Sequence, residues 1–195
     1  IDAPKNIEWV GYSSENTITN IGEVEWTKKS GLLSIWVLGQ FISSPTNTII
    51  APFVPGSVDQ LGPMVNDTYF GKIPDDRLVI QDSLIFFKAD GKQRGKIGLS
   101  PLRSKNYLGS YDADQKLLTL AFFNKPETNN GYVNSMWELQ EKPFGGDVIN
   151  SYNDGPLEDG SQLGPFYELE TSSQAAALKP GKSLSHISKT IHITG

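Results

Sequence analysis

Short apolar or alternating runs, separated by glycine, proline, asparagine and aspartate, recur along this 195-residue chain, and helical periodicity is almost absent. Such runs at hairpin-like spacing are typical of an all-β sandwich or barrel. They predict strands at Asn6–Tyr12, Thr17–Ile21, Gly31–Phe41, Asn47–Val54, Leu78–Ile80, Ser83–Lys88, Gly95–Leu99, Tyr107–Tyr111, Lys116–Phe123, Tyr132–Gln140, Asp147–Tyr152, Pro165–Thr171 and Lys182–Thr194. The stretch Pro55–Ile73 lacks alternation, which favours a functional loop.

The residues between the runs have the chemistry of tight turns. Asp90-Gly91 and Asn130-Gly131 supply the positive φ that short hairpin loops require. The sequence Lys179-Pro180-Gly181-Lys182 fits a type II turn, with proline at the second position and glycine at the third. These turns favour antiparallel pairing between successive strands.

Two runs are apolar on both faces of the strand that they would form. They are Leu32–Leu38 and Leu117–Phe123, and each is expected at the centre of a sheet that is covered on both sides. Two stacked sheets with buried centres follow. We therefore expect residues 1–195 to form a single domain, a large and mostly antiparallel β-sandwich.

Charge and composition argue against several classes of function. The net charge is −5, its charges are scattered, and there is no basic run, so neither a nucleic acid nor an anionic membrane is an expected partner. No apolar run approaches membrane-spanning length, and we expect no membrane insertion. The absence of cysteine excludes disulfides and thiolate metal sites. His186 and His192 lie about 20 Å apart at strand rise, so no metal site is expected.

Two carboxylates, Glu168 and Glu170, stand two residues apart on one predicted strand. They would share a face of the sheet, about 7 Å apart, because successive strand side chains point in opposite directions. One interpretation is a solvated glutamate beside one that is paired with a lysine or arginine. The other is a pair that binds a polyhydroxy ligand or transfers protons, with pKa values raised by burial and mutual repulsion.

Other candidate ligand-binding residues have structural interpretations as well. The segment Asn150–Pro156 has strong turn chemistry, yet its Asn153 and Asp154 would also suit a loop that hydrogen-bonds sugar hydroxyls. Trp36 and Trp137 fall on predicted strands, where large aromatic residues usually belong to the core. At an open face of the sandwich, either indole would instead stack on a sugar ring.

Several phrases carry a family resemblance. Leu169-Glu170-Thr171, followed by Leu178-Lys179-Pro180-Gly181 and a last strand, resembles the galactose mutarotase-like (aldose 1-epimerase) superfamily. Over nearly the whole chain, the sequence is similar to an uncharacterised branch of that superfamily in Bacteroides-type bacteria. The phrases that match this branch are Gly31–Trp36, Val65–Lys72, Tyr132–Glu138 and Val148–Gly155.

The resemblance implies a β-supersandwich that binds a sugar in the cleft of one concave sheet, without a cofactor. In its epimerases, a glutamate base and a histidine acid open and reclose the hexose ring at the anomeric carbon. The implied base here is Glu170, whereas the segment Leu32–Trp36, where the acid is expected, has no histidine. We therefore expect a mono- or oligosaccharide-binding protein, with Glu168, Asn153, Asp154, Trp137 and Trp36 as further ligand-binding residues.

Alternatives to an epimerase stay open at this point. One is a non-catalytic sugar-binding module of a polysaccharide-utilisation system. Another is a glycoside hydrolase or lyase that uses both glutamates, although carboxylates side by side on one strand do not easily flank a glycosidic bond.

The resemblance also implies that this chain is the C-terminal portion of a longer, exported protein, periplasmic or on the cell surface. Missing strands would leave sheet edges unpaired and apolar surface exposed. We therefore expect either that a second chain supplies the missing N-terminal strands or that this segment closes its own sandwich.

Overall fold

The computed structural model describes residues 7–127 and 130–195, and nearly all of the regular structure in these ranges is β. The strands are β1 Glu8–Thr19, β2 Trp36–Ile42, β3 Asn47–Pro52, β4 Leu78–Gln81, β5 Leu84–Lys88, β6 Gly95–Leu99, β7 Tyr107–Asp112, β8 Leu117–Phe123, β9 Ile149–Asn153, β10 Phe166–Ser172 and β11 Ser183–Thr194. One short helix, α1 Val58–Leu61, lies within the predicted loop Pro55–Ile73.

These strands form two antiparallel sheets. A seven-stranded sheet has the order β1-β11-β8-β7-β3-β5-β4, and a four-stranded sheet has the order β2-β10-β9-β6. The all-β, sandwich-like fold expected from the sequence is thereby confirmed. The run Leu117–Phe123 is central as predicted, because β8 lies between β7 and β11.

The core lies between the two sheets, and side chains from both contribute to it. Its buried apolar members are Ile49, Ala51, Phe53, Ile73, Ile85, Phe87, Ala89, Ile97, Leu99, Leu108, Ala121, Phe123, Tyr132, Val148, Ile149, Tyr167 and Leu169. A hydrogen bond of 2.7 Å between the hydroxyls of Ser110 and Tyr167 joins the sheets across this core. Both partners are buried, so each satisfies a polar group that would otherwise cost free energy there.

His186 is buried in this interior, whereas His192 is half-buried. The Nε2 atom of His186 lies 2.9 Å from the Thr171 hydroxyl, and Nδ1 of His192 lies 2.9 Å from the Thr119 hydroxyl. Burial lowers the pKa of His186 to about 4. Its imidazole is therefore neutral near pH 7 and acts as a packed hydrogen-bonding group.

The prediction that Leu32–Leu38 is a central strand was wrong. Only its last residues enter a strand, and that strand, β2, pairs with β10 alone and forms an edge of the four-stranded sheet. Leu32 and Ile35 are buried outside the sheet, where backbone bonds join Leu33 to Ala176 and Ile35 to Ser173. The first part of this apolar run therefore packs as an irregular segment, and its last part forms an edge strand. Apolar composition alone does not distinguish the two.

Three further predicted strands differ from the structure. Tyr132–Gln140 forms no strand, and the backbone there is irregular. The predicted strands Asn6–Tyr12 and Thr17–Ile21 merge into β1, while Asn6 itself lies outside the described residues. The type II turn is confirmed, since Gly181 has φ of 75° and the Lys182 amide donates to the Lys179 carbonyl at 3.0 Å.

The edges of the sandwich bear on whether further strands join it. The two sheets bury a common core within this chain, yet β1 exposes Trp9, Val10 and Tyr12. The participation of a second chain stays a prediction.

Arg103 fixes the start of the loop Pro55–Ile73. Its guanidinium is fully buried and donates to the backbone carbonyls of Val54, Gly56, Ser57 and Gly62, at 2.6–3.3 Å. Backbone carbonyls in a loop lack the regular hydrogen-bond donors that a neighbouring strand would supply, so the Arg103 side chain supplies these donors instead.

We predict that Arg103→Met lowers the free energy of unfolding by about 3 kcal/mol, because several buried carbonyls lose their donor together. Urea denaturation measures this change. Lys105→Met is the matched control, since Lys105 is exposed. Like most surface substitutions, it is expected to change the free energy of unfolding by less than about 0.5 kcal/mol. Equal midpoints for the two variants would contradict the role assigned to Arg103.

Candidate functional site

A cleft lies on the face of the four-stranded sheet that points away from the seven-stranded sheet. It has a volume of about 150 Å³. Its lining residues are Trp36, Leu38, Tyr69, Phe70, Arg94, Lys96, Ser135, Met136, Trp137, Tyr152, Leu163, Phe166 and Glu168. Strand alternation explains the set, because Tyr167 and Leu169 of β10 face the core while Phe166 and Glu168 face the cleft.

Glu170 lies beneath the cleft and does not line it. Its side chain is fully buried, and Oε2 accepts hydrogen bonds from Trp36 Nε1 and Lys96 Nζ, each at 2.9 Å. Among the described residues, Oε1 has no hydrogen-bond partner. The buried carboxylate therefore orients an indole and an ammonium group that both reach the cleft.

Glu168 is the glutamate that reaches the cleft. Burial raises the pKa of its carboxyl to about 7, the charge of Glu170 contributes to that rise, and the charge of Lys96 opposes it. Near neutral pH, both protonation states of Glu168 are consequently populated. A group of this kind is suited to give or take a proton.

The two glutamates thus combine the interpretations left open by the sequence. Glu170 is paired with a lysine, as the structural interpretation has it, and Glu168 is half-buried in a cleft, as the functional one has it. Glu168 is accessible from the cleft, whereas Glu170 is fully buried.

The raised pKa of Glu168 predicts a pH-dependent stability. Between pH 4.5 and about 7, the folded protein holds a proton that the unfolded chain releases, so this group's contribution to stability falls as pH rises. We expect Glu168→Gln to gain stability relative to the wild type across this window, measured as the difference in melting temperature at each pH.

The difference in melting temperature between the wild type and Glu168→Gln isolates the contribution of Glu168. This comparison is needed because His186 changes stability with pH in the opposite direction over part of the same pH range. Its lowered pKa makes the folded state lose stability as pH falls toward 4. A melting-temperature difference that stays constant from pH 4.5 to 8 would contradict the raised pKa of Glu168.

A second buried carboxylate supports the wall of the cleft. Asp147 Oδ2 accepts hydrogen bonds from the Tyr69 hydroxyl at 2.7 Å and from Asn66 Nδ2 at 3.3 Å, while Asn150 Nδ2 donates to the Tyr69 oxygen at 2.9 Å. Burial raises the pKa of Asp147, and burial together with that carboxylate raises the pKa of Tyr69. Tyr69 is therefore held as a neutral phenol.

This cluster anchors the predicted functional loop to the sheet. Backbone hydrogen bonds of 2.8–2.9 Å pair Asn66 with Gly98 of β6, and the loop then carries Tyr69 and Phe70 into the cleft. Gly98 leaves the space that the cluster occupies, since a Cβ atom there would overlap Asp147 Oδ2.

We predict that Gly98→Ala displaces Asp147 and detaches the loop, because the added methyl group overlaps the Asp147 and Asn150 side chains. The expected result is faster amide hydrogen exchange at residues 65–70 and a lower melting temperature. Gly95→Ala, in the same strand, is the matched control because its Cβ would approach side-chain atoms no closer than 3.3 Å. Similar exchange rates in the two variants would contradict this prediction.

Tyr152 forms another part of the cleft, and Asp154 lies behind it. The Tyr152 hydroxyl donates to Asp154 Oδ1 at 2.7 Å, and Asp154 Oδ2 accepts from the Gly164 amide at 3.0 Å. Burial and this bond raise the pKa of Tyr152 to about 12. Asp154 thus orients a lining residue, although it does not itself line the cleft.

Asn153 has a structural position instead. It is fully buried, its Oδ1 accepts from the Gly91 amide at 2.9 Å, and its Nδ2 donates to the Gln93 carbonyl at 2.9 Å. The side chain stabilises the turn at residues 90–93 and does not line the cleft. The prediction that the segment Asn150–Pro156 is a turn was wrong, because Asn150–Asn153 belongs to β9 and residues 154–156 form no regular turn.

Both candidate tryptophans line the cleft. Trp36 is 48% exposed and Trp137 is 87% exposed, so the interpretation that they belong to the core was wrong for both. Trp36 is exposed because its side chain points to the outer face of β2, and Trp137 is exposed because it lies on a loop.

Sequence reasoning missed the cationic and phenolic parts of the site. Lys96 Nζ lies 5.3 Å from the centre of the Trp36 ring, and the Arg94 guanidinium lies 3.8 Å from the centre of the Phe70 ring. Isolated lysines and arginines carry no local pattern. Only the alternation of β6, which turns Lys96 away from the buried Ile97, could have indicated this face.

The described part of the chain offers neither a metal-binding cluster nor a membrane-spanning helix. Across residues 7–127 and 130–195, no group of three or more histidine, cysteine, aspartate or glutamate side chains could hold a metal ion. In the same ranges, no helix is sufficiently long and apolar to cross a bilayer.

Comparisons with known proteins give one match. The model of a family described as a family of unknown function, DUF6786, matches residues 1–195. No curated protein and no solved structure matches the chain.

Proposed function

We propose that this chain, which belongs to the DUF6786 family of unknown function, binds a carbohydrate in the cleft of its four-stranded sheet. The observation that carries the proposal is the joint presence of exposed aromatic faces and a carboxyl group that is half protonated near pH 7. A sugar ring offers apolar C–H faces and a rim of hydroxyls, and it needs both kinds of partner.

The aromatic part of the cleft supports ring stacking. The Trp36 indole is held by its bond to Glu170, so its orientation does not have to be fixed when a ligand arrives. Aromatic groups that are ordered in advance lose little entropy on binding, which favours affinity. The sequence resemblance to galactose mutarotase-like proteins points to the same class of ligand.

The polar part supports hydroxyl recognition. Glu168, Lys96 and Arg94 lie in the cleft with both donors and an acceptor among them. A few polar groups placed within an otherwise apolar and aromatic wall are typical of small-ligand sites.

A second candidate function is catalysis of anomer exchange, and the pKa of Glu168 favours it. A base with a pKa near 7 can remove the proton of an anomeric hydroxyl while the C1–O5 bond breaks and solvent water protonates the ring oxygen. After rotation about the C1–C2 bond, the reverse steps reclose the ring and return both protons. The resemblance assigns the base to Glu170, but its burial and its bonds to Trp36 and Lys96 favour Glu168 for direct contact. A non-catalytic sugar-binding module is the alternative.

The test is proton exchange spectroscopy on free glucose, galactose, mannose and xylose, with saturation-transfer signals as the measure of binding in the same sample. We expect binding of at least one of these sugars. If Glu168 is a base, Glu168→Gln abolishes accelerated anomer exchange and retains binding. Glu170→Gln instead weakens both, because Lys96 loses its charged partner at the floor of the cleft.

Glu138→Gln is the matched control, because Glu138 is exposed on a loop and does not line the cleft. Binding without accelerated exchange would assign the non-catalytic function. Absence of binding to these sugars and to their di- and trisaccharides would overturn the proposal.

A further inference from the structure

The loop that carries Trp137 is built around an internal clasp, which we define as Asn134, Met136 and Gln140. Asn134 Nδ2 donates to Gln140 Oε1 at 2.7 Å, the Met136 amide donates to Asn134 Oδ1 at 3.1 Å, and Gln140 Nε2 donates to the Met136 carbonyl at 3.0 Å. These bonds close the loop on itself without using Trp137. The indole is consequently presented outward from an ordered backbone.

Nothing in the described part of the protein covers this indole. Trp137 is 87% exposed and, among the described residues, has no aromatic ring or cation packed on its face. A loop residue without a structural role would commonly be polar. A large aromatic side chain on a clasped loop, at the border of a cleft, is typical of a ligand contact.

The small volume of the cleft indicates that Trp137 would contact a second ring, outside the position that a first ring takes in the cleft. The cleft encloses about 150 Å³. Pockets that hold drug-sized ligands measure about 300–1,000 Å³, so this smaller cleft suits one sugar ring and not a chain of them. Most of the Trp137 surface therefore lies outside the enclosed volume. Leu163, also at the border, is 84% exposed, so the rim is apolar where a second ring would emerge.

We propose that the ligand is an oligosaccharide, with one ring in the cleft and the next ring stacked on Trp137. This inference rests on the proposed carbohydrate-binding function and specifies its ligand as an extended, uncharged chain. The rim formed by Ser135, Met136, Trp137 and Leu163 carries no charge, which agrees with an uncharged second ring.

Isothermal titration calorimetry can test the inference with glucose, mannose, galactose and xylose, and with the di- and trisaccharides built from each. For the sugar type that binds, we expect the wild type to bind the disaccharide about tenfold more tightly than the monosaccharide, which is the contribution of one stacking contact. Trp137→Ala is expected to remove this tenfold gain, so that the variant binds the monosaccharide and the disaccharide with affinities within about twofold of each other.

Leu139→Ala is the matched control, because Leu139 is fully exposed on the same loop but does not line the cleft. It is expected to leave both affinities unchanged. Asn134→Ala, which opens the clasp, should reduce disaccharide affinity selectively, as expected if the clasp positions Trp137.

The outcomes separate this inference from the proposed function. A wild-type affinity that does not depend on chain length overturns the inference alone, and so does an equal loss for mono- and disaccharide in Trp137→Ala. Absence of binding to every sugar in the series overturns the proposed function as well.

Discussion

The buried ion pair between Glu170 and Lys96 is the interaction on which the candidate site depends. A carboxylate without solvent is tolerated only when it is paired and hydrogen-bonded, and Lys96 and Trp36 provide both. Removing one member of such a pair costs about 3–5 kcal/mol in many proteins, so stability alone is enough to maintain the arrangement. It places a cation and an indole at the floor of the cleft, and its negative charge contributes to the raised pKa of Glu168.

The site is assembled from segments that are distant in the sequence and that meet through backbone pairing. On one side of β10, strand β2 supplies Trp36 and Leu38. On the other side, β9 supplies Tyr152 and β6 supplies Lys96. The loop Pro55–Ile73 adds Tyr69 and Phe70. Arg103 and the Asp147 cluster hold this loop near its start and its middle. The cleft is consequently ordered without a ligand, which reduces the entropy that binding would cost.

Much of the fold was predictable because alternation and turn chemistry are local. Sequence patterns predicted the bounds of β3, β5, β6, β8 and β11 to within a few residues. They also predicted that Glu168 and Glu170 share one face of β10. The edge position of β2 was not, because an apolar run does not reveal whether its residues pack against a sheet or against an irregular segment. Lys96 was missed for a related reason: its role follows from its place beside Glu170, 74 positions away, and no short motif encodes that separation.

Alternate residues of strand β10 contribute to the core and to the candidate site. Its odd-numbered residues Tyr167 and Leu169 pack inward, and its even-numbered glutamates point to the other face. A slip of one residue would put carboxylates into the core and leucine into the cleft, so a misregistered chain would be unstable and would also lack the candidate site. Selection for folding alone therefore preserves the placement of the acidic groups. The loops that carry Phe70 and Trp137 are free of this double constraint, so substitutions there can change the surface of the cleft without disturbing the alternation of β10.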